Sequence, residues 1–200
     1  MKLFTFGDSL TDGVIENMEM KFSINNFFSK EECQSIIEIA DKIGVKFSYN
    51  PNEVWDCKRI YDDNFKENIL NKLKTNYKNN NFKLWFDFNE FKINDVNISL
   101  TKYYDNRWLD LHLDKTSQLT TVIVLSDGFD DGRFVLSTNN GDINKFDKYN
   151  LQIGDGISFD GSKIYHGVLP VHTGIRYALN IWMTDTDFKY NFLKINKSII

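Results

Sequence analysis

His112-Leu113-Asp114 sets an imidazole and a carboxylate two residues apart. In an extended segment, residues at that spacing project from the same face, so both groups can converge on one ion. A third ligand must come from elsewhere. His166 is the best candidate, because it begins the segment His166-Gly167-Val168-Leu169-Pro170-Val171, which then turns around Thr173-Gly174. Two histidines and one carboxylate on one face of an octahedral ion are the donor set of non-haem Fe(II) sites, and they leave the remaining positions open to ligands. The chain holds only three histidines. With His172 read as a solvent-facing turn residue, almost no alternative histidine is available.

The turn at Thr173-Gly174 predicts a hairpin of 167–171 with 175–182, with Pro170 opposite Arg176 and His166 opposite Asn180. Cross-strand partners face one side of a sheet, so Arg176, Ala178, Asn180 and Trp182 would share a face with His166. The offset between Arg176 and the position opposite His166 would be roughly 13 Å at about 3.3 Å per residue. An arginine side chain and a five-carbon dicarboxylate chelating the metal would fill that gap, since a guanidinium can grip the distal carboxylate with both prongs. Tyr103 and Tyr104 point to opposite faces of their strand, so only one can enter the pocket, and Tyr103 is preferred. Arg107, Trp108 and Trp182 are candidates for substrate contact, and Asn180 should face inward near the metal. Asp105, Asp110, Asp130 and Asp131 read as solvated loop and turn groups.

Positioning these groups falls to the rest of the chain. Two hundred residues, 42% of them hydrophobic and 26% charged, suit one folded domain and exclude a disordered or collagen-like chain. The net charge of −4 lacks the broad basic surface of non-specific nucleic-acid binders, which argues against a nucleic-acid partner. Cys33 and Cys57 could make at most one disulfide and match no metal-ligand spacing, so a reduced compartment is the simpler reading. No apolar run of membrane-spanning length or secretory signal pattern is visible, so no membrane partner and a cytoplasmic location are expected.

Ser29 followed by Glu32 is a capping-box pattern, and Cys33, Ile36, Ile37, Ala40 and Ile43 recur at helical spacing up to Gly44. A second helix is predicted over 62–78, with Phe65, Ile69, Leu70, Leu73 and Tyr77 on one face. From Phe82 the period changes to two, through 82–88 and 96–100, followed by strands at 119–125, 133–137, 156–159, 167–171 and 175–183. Helices followed by many short strands predict an α+β, mostly β layout in which helices cover one face of an antiparallel sandwich or barrel.

At this point the sequence resembles the Fe(II)/2-oxoglutarate-dependent dioxygenases, in their prolyl 4-hydroxylase-like branch. The motifs are Tyr103 nine residues before His112, the His112-Leu113-Asp114 pair, Gly154-Asp155-Gly156-Ile157-Ser158-Phe159 before His166, the His166-Gly167-Val168 run, and Arg176 ten residues after His166. Trp182 sits where the family often has an aromatic residue, and 22–33 looks like its opening strand and helix. The resemblance implies a double-stranded β-helix, or jelly roll, with N-terminal supporting helices. It implies Fe(II) held by His112, Asp114 and His166, and 2-oxoglutarate bound at its distal carboxylate by Arg176 and Tyr103. O2 is the other co-substrate, and ascorbate is left open as an accessory.

The activity implied is hydroxylation of a C–H bond with release of succinate and CO2. Peptidyl proline is the first substrate expected, and a free amino acid or small metabolite is the alternative. Three departures bear on the prolyl substrate more than on the iron chemistry. Leu109 stands where many prolyl hydroxylases have tyrosine, Arg176 replaces the lysine of collagen-type enzymes, and Asp131-Gly132-Arg133-Phe134 is a degraded form of a Gly-Gly-x-Thr run.

Phe6-Gly7-Asp8-Ser9-Leu10-Thr11 is similar to the first block of the GDSL, or SGNH, esterases. That chemistry needs a histidine base, supplied in that family by an Asp-x-x-His block. No aspartate lies three residues before any histidine here. Ser9 is therefore not expected to be a nucleophile, and no catalytic nucleophile is assigned. The expected division is an extension over 1–20, an oxygenase domain over 21–185 and a tail over 186–200. A jelly-roll binding module without turnover is the competing class, disfavoured by the complete ligand set.

Overall fold

The computed structural model describes residues 3–4, 20–21, 25–46, 55–79, 96–137 and 145–184. Ser9, the expected strand at 82–88 and the tail at 186–200 lie outside the described residues. The elements in chain order are β1 (Leu3–Phe4), β2 (Met20–Lys21), β3 (Asn25–Asn26), α1 (Lys30–Ile43), β4 (Val45–Lys46), β5 (Asp56–Ile60), α2 (Asp63–Asn79), β6 (Val96–Tyr103) and β7 (Leu109–His112). They continue as β8 (Leu119–Val124), β9 (Asp130–Asp131), β10 (Phe134–Ser137), β11 (Asp147–Tyr149), β12 (Asp155–Phe159), β13 (Tyr165–Val168), β14 (Val171–Thr173) and β15 (Arg176–Met183).

Ser29 caps α1 through the expected capping box: its hydroxyl accepts the Glu32 N–H while the Glu32 carboxylate accepts the Ser29 N–H. Asp62 caps α2 by accepting the Phe65 N–H at 2.7 Å. The buried stripe of α2 is Phe65, Ile69, Leu70, Leu73 and Tyr77, as its helical spacing predicts. Both helices bury these stripes, with Cys33, Ile36 and Ala40 of α1, against Ile98, Leu100, Ile123, Leu179, Ile181 and Met183. Each such aliphatic side chain stabilises the fold by about 1.5–3 kcal/mol through removal from water.

That apolar surface is the outer face of a seven-stranded sheet in the order β3-β12-β8-β15-β6-β5-β4. A four-stranded sheet, β11-β10-β13-β7, lies opposite, and β14 pairs with β9. Strand β15 shows the division of labour. Leu179, Ile181 and Met183 meet the helices, and the alternate residues Arg176, Ala178, Asn180 and Trp182 face the interior between the sheets. Phe134, Leu136, Ile157, Phe159, Ile164 and Val168 fill that interior with Tyr103, Val122, Val124 and Ala178. The fold is a double-stranded β-helix backed by its N-terminal helices. No described helix is long and apolar enough to cross a membrane.

The expected hairpin does not form. β13 pairs with β10 and β7, placing His166 opposite Leu136 and His112, while β15 pairs with β6 and β8, placing Asn180 opposite Ser99 and Val122. The expected strand over 167–171 is divided at Leu169-Pro170. Pro170 has no N–H to continue a ladder, and its carbonyl instead accepts the Gly132 N–H at 3.1 Å. Val171–Thr173 then pairs with Asp130–Asp131 before the chain enters the larger sheet. β13 and β15 belong to different sheets, so the turn at Thr173-Gly174 carries the chain from one sheet to the other instead of pairing the strands on either side. The offset between His166 and Arg176 computed from the hairpin falls with it.

Candidate metal centre and co-substrate pocket

β7 ends on His112, and a register shift between β13 and β7 sets His166 directly opposite it. The two imidazole rings stand 4.3 Å apart, centroid to centroid. Asp114 follows β7 and is fixed by its own N–H, which donates to the Gly161 carbonyl at 2.8 Å. One donor atom from each of His112, Asp114 and His166 lies within 4.8 Å of the others. His166 is almost fully buried and packs edge-on against Phe159 at 4.7 Å, while His112 and Asp114 are half-buried.

The second ring nitrogens settle the orientation. His112 Nδ1 lies 2.9 Å from the Asp110 carbonyl and His166 Nδ1 3.0 Å from the Ile164 carbonyl. A carbonyl can only accept, so Nδ1 carries the proton in both rings and Nε2 is turned toward the carboxylate. His112 Nε2 is 3.6 Å from Asp114 Oδ1, and His166 Nε2 is 3.2 Å from Oδ2. Burial pushes the His112 pKa down, but the Asp114 carboxylate and the Asp110 carbonyl outweigh it and raise the value. Burial likewise opposes ionisation of Asp114, yet the two histidines hold its carboxyl well below the usual range. The cluster is built for positive charge, held either as protons on Nε2 or as one cation among three Lewis-base atoms.

Arg176 enters the same interior from the other sheet. It is 1% exposed, and neither Nη1 nor Nη2 has a hydrogen-bond partner among the described residues. Its guanidinium lies 5.5 Å from the centre of the Tyr103 ring, and the two residues are opposite one another in the β15–β6 ladder. Burial pushes the Arg176 pKa down to about 10 and the Tyr103 phenol up to about 12. An unpartnered buried guanidinium beside a protonated phenol is a receptor for a carboxylate. The donor set and this orphaned cation together fit an Fe(II) ion and a dicarboxylate co-substrate.

Tyr104 faces outward, where its hydroxyl donates to Asp56 at 2.9 Å. Arg107 pairs with the same carboxylate at 3.1 Å and stacks 4.0 Å over the Tyr104 ring, so it belongs to this outer cluster. Trp108 is exposed and donates to Asp110 at 3.0 Å. Asn180 is buried and donates to Thr101 Oγ1 at 2.9 Å. Trp182 reaches the cluster itself, its indole N–H donating to Asp114 Oδ2 at 2.6 Å. His172 is exposed, with its ring 2.8 Å from Asn106 Oδ1. Thr120, which donates to Asp114 Oδ2 at 2.8 Å, is absent from the sequence reading. Thr120 and Thr121 are adjacent hydroxyls in an otherwise apolar strand, and only the inward face of the strand distinguishes Thr120.

In three dimensions the fold is similar to those of solved 2-oxoglutarate/Fe(II) oxygenases. A prolyl hydroxylase from Trichoplax adhaerens, in complex with a hypoxia inducible factor oxygen degradation domain peptide fragment, superposes with TM-score 0.62 at 18% identity, over 84% of this chain and 86% of that one. The 2OG complex of a viral collagen prolyl hydroxylase from Paramecium Bursaria Chlorella virus-1 gives 0.58 at 18% identity, over 85% and 98%. A 2OG-Fe(II) oxygenase family protein from Burkholderia pseudomallei gives 0.58 at 17% identity, over 79% and 80%. No family model matches the sequence, and no curated protein matches it.

Proposed function

We propose that this chain is an Fe(II)- and 2-oxoglutarate-dependent oxygenase that hydroxylates a C–H bond and releases succinate and CO2. The observation that carries the reading is the pairing of His112, Asp114 and His166 with the unpartnered guanidinium of Arg176 inside one barrel. Fe(II), when bound, supplies the oxidative decarboxylation of 2-oxoglutarate that is coupled to hydroxylation. His112 Nε2, His166 Nε2 and one oxygen of Asp114 would hold the ion, and the carbonyls of Asp110 and Ile164 keep both rings in the ligating tautomer. Arg176 orients the co-substrate by its distal carboxylate, and the Tyr103 phenol, protonated at neutral pH, donates to the same group. Val122, Ala178, Phe134 and Phe159 keep water from the buried side of the pocket.

Peptidyl proline is the first substrate class to test, supported by the prolyl hydroxylases among the structural neighbours, one of them described with a peptide fragment. A free amino acid or small metabolite is the alternative that the same screen covers. The deciding experiment is anaerobic loading with Fe(II) and 2-oxoglutarate, then O2, with succinate measured. Wild type should form succinate without added substrate, and His112→Ala should not. Absence of both iron and 2-oxoglutarate binding in wild type would overturn the proposal. A peptide and metabolite panel read by the mass gain of one oxygen atom then identifies the substrate.

A further inference from the structure

We infer that Trp182 and Thr120 are positioning residues that reserve a single oxygen of Asp114 for the metal ion, an inference that rests on the metal centre proposed above. The indole N–H of Trp182 and the hydroxyl of Thr120 both donate to Asp114 Oδ2, at 2.6 and 2.8 Å. An indole N–H has no acceptor capacity, so the direction of the first bond is fixed. Thr120 Oγ1 also lies 3.1 Å from Ser117 Oγ, whose own proton goes to the Leu119 carbonyl at 2.8 Å. The charged carboxylate is the stronger acceptor and takes the Thr120 proton.

Two donors occupy the two lone-pair directions of Oδ2. Oδ2 also lies 3.2 Å from His166 Nε2, but with both of its lone pairs engaged by Trp182 and Thr120 it is left as the non-ligating oxygen. Oδ1, 3.6 Å from His112 Nε2, remains for an ion seated between the two imidazoles. The packing is built around this arrangement. Gly161 accepts the Asp114 N–H at 2.8 Å, and a Cβ at Gly161 would come 2.1 Å from Thr120 Oγ1 and 3.1 Å from Asp114 Cβ. Any side chain there would push Thr120 off the carboxylate. The consequence is coordinative. Two imidazoles and one carboxylate oxygen leave three positions of an octahedron open, whereas a carboxylate chelating through both oxygens would leave two. A chelating co-substrate and O2 together need three. Trp182 and Thr120 thereby hold the third position open without touching the ion.

The test is anaerobic titration of the full-length metal-free protein with Co(II), followed by its visible ligand-field bands, for wild type, Trp182→Phe, Thr120→Val and Thr120→Ser. Trp182→Phe and Thr120→Val should each weaken Co(II) binding roughly tenfold or more, because the carboxylate is no longer held in the ligating orientation, and change the band intensities as Oδ2 becomes free to approach the ion. Thr120→Ser keeps the hydroxyl and should restore both affinity and spectrum, which a role in packing alone would not do. Co(II) affinities within about twofold of wild type and unchanged spectra in both disruptive variants would overturn the inference while leaving the metal centre intact. Failure of wild type to bind Co(II) or Fe(II) would overturn the metal centre itself. If Trp182→Phe fails to fold, the Thr120 pair decides.

Discussion

Gly132 stands directly against Arg176: a Cβ at Gly132 would lie 2.9 Å from Arg176 Cδ and 2.6 Å from Val171 Cγ2. Gly132 also has φ +61, a backbone region that side-chain-bearing residues enter only at a cost. The two constraints act together. Gly132→Ala should destabilise the protein by about 2 kcal/mol through strain and overpacking, and should weaken 2-oxoglutarate binding by displacing the guanidinium. Urea denaturation and 2-oxoglutarate titration measure the two effects. Wild-type values in both would show that the loop simply moves aside.

Arg176 holds a buried positive charge whose Nη1 and Nη2 have no hydrogen-bond partner among the described residues. Such a group costs folding free energy and is restored by its ligand. Arg176→Met should therefore raise the stability of the ligand-free protein by about 1–3 kcal/mol. The ligand response should move the other way. At 2-oxoglutarate near 100 times its wild-type Kd, wild type should gain about 2.7 kcal/mol and the variant nothing. Equal thermal shifts with 2-oxoglutarate in both proteins would remove Arg176 from the co-substrate site.

Asp131 is held by both prongs of Arg133, Nε to Oδ1 at 2.8 Å and Nη2 to Oδ2 at 3.1 Å, and these bonds lower its pKa. A carboxyl with a folded pKa below its unfolded value stabilises the protein above the unfolded value. That stability is lost as the pH falls through the folded one. The Arg133 side chain is 39% exposed, so solvent screening keeps the effect under about 1 kcal/mol. Asparagine tolerates the left-handed backbone at this position, φ 62, so Asp131→Asn isolates the charge. The variant should melt lower than wild type near neutral pH, with the gap closing as the pH falls below the ordinary carboxylate range and through the lowered folded pKa. A gap constant across that range would exclude the ionisation as its source.

Tyr77 of α2 closes a triangle of buried hydroxyls, 2.9 Å from Thr121 Oγ1 and 2.8 Å from Ser158 Oγ, which are themselves 2.9 Å apart. Tyr77→Phe should cost only about 1–2 kcal/mol, because Thr121 and Ser158 continue to satisfy one another. The triangle lies on the helix side of the larger sheet, away from the metal cluster. Co(II) affinity should be unchanged, and a loss of affinity would show that α2 governs the geometry of the site through the sheet.

The helices were legible because their instructions are local. Ser29 and Glu32 are one turn apart, and the stripe from Phe65 to Tyr77 repeats with the helical period. Most strands were legible for the same reason, as was the inward face of β15, whose alternation places Arg176, Asn180 and Trp182 together whatever the strand pairs with. Strand β5 shows no period of two because it buries Cys57 and Ile60, three residues apart, and β7 and β11 place one or no fully buried residue each, so no apolar alternation marks them.

Residue type and short spacing by themselves offered His112 and Asp114 as one pair and His166 as the candidate third donor. Alternation along its strand put Arg176 on the face of Asn180 and Trp182, although the hairpin expected to set it beside His166 does not form. The choice of Tyr103 over Tyr104 had no local basis beyond alternation; Arg176 directly across the ladder marks the inward face. The partners of β13 and β15 were decided only in three dimensions. A tight turn constrains its own backbone but carries no information about which sheet each flanking strand joins. The two donors on Asp114 Oδ2 come from Thr120 and Trp182, 6 and 68 residues away along the chain, and the glycine that makes room for one of them comes from a third segment. No local pattern records such a meeting, because it exists only once both sheets have closed over a shared interior.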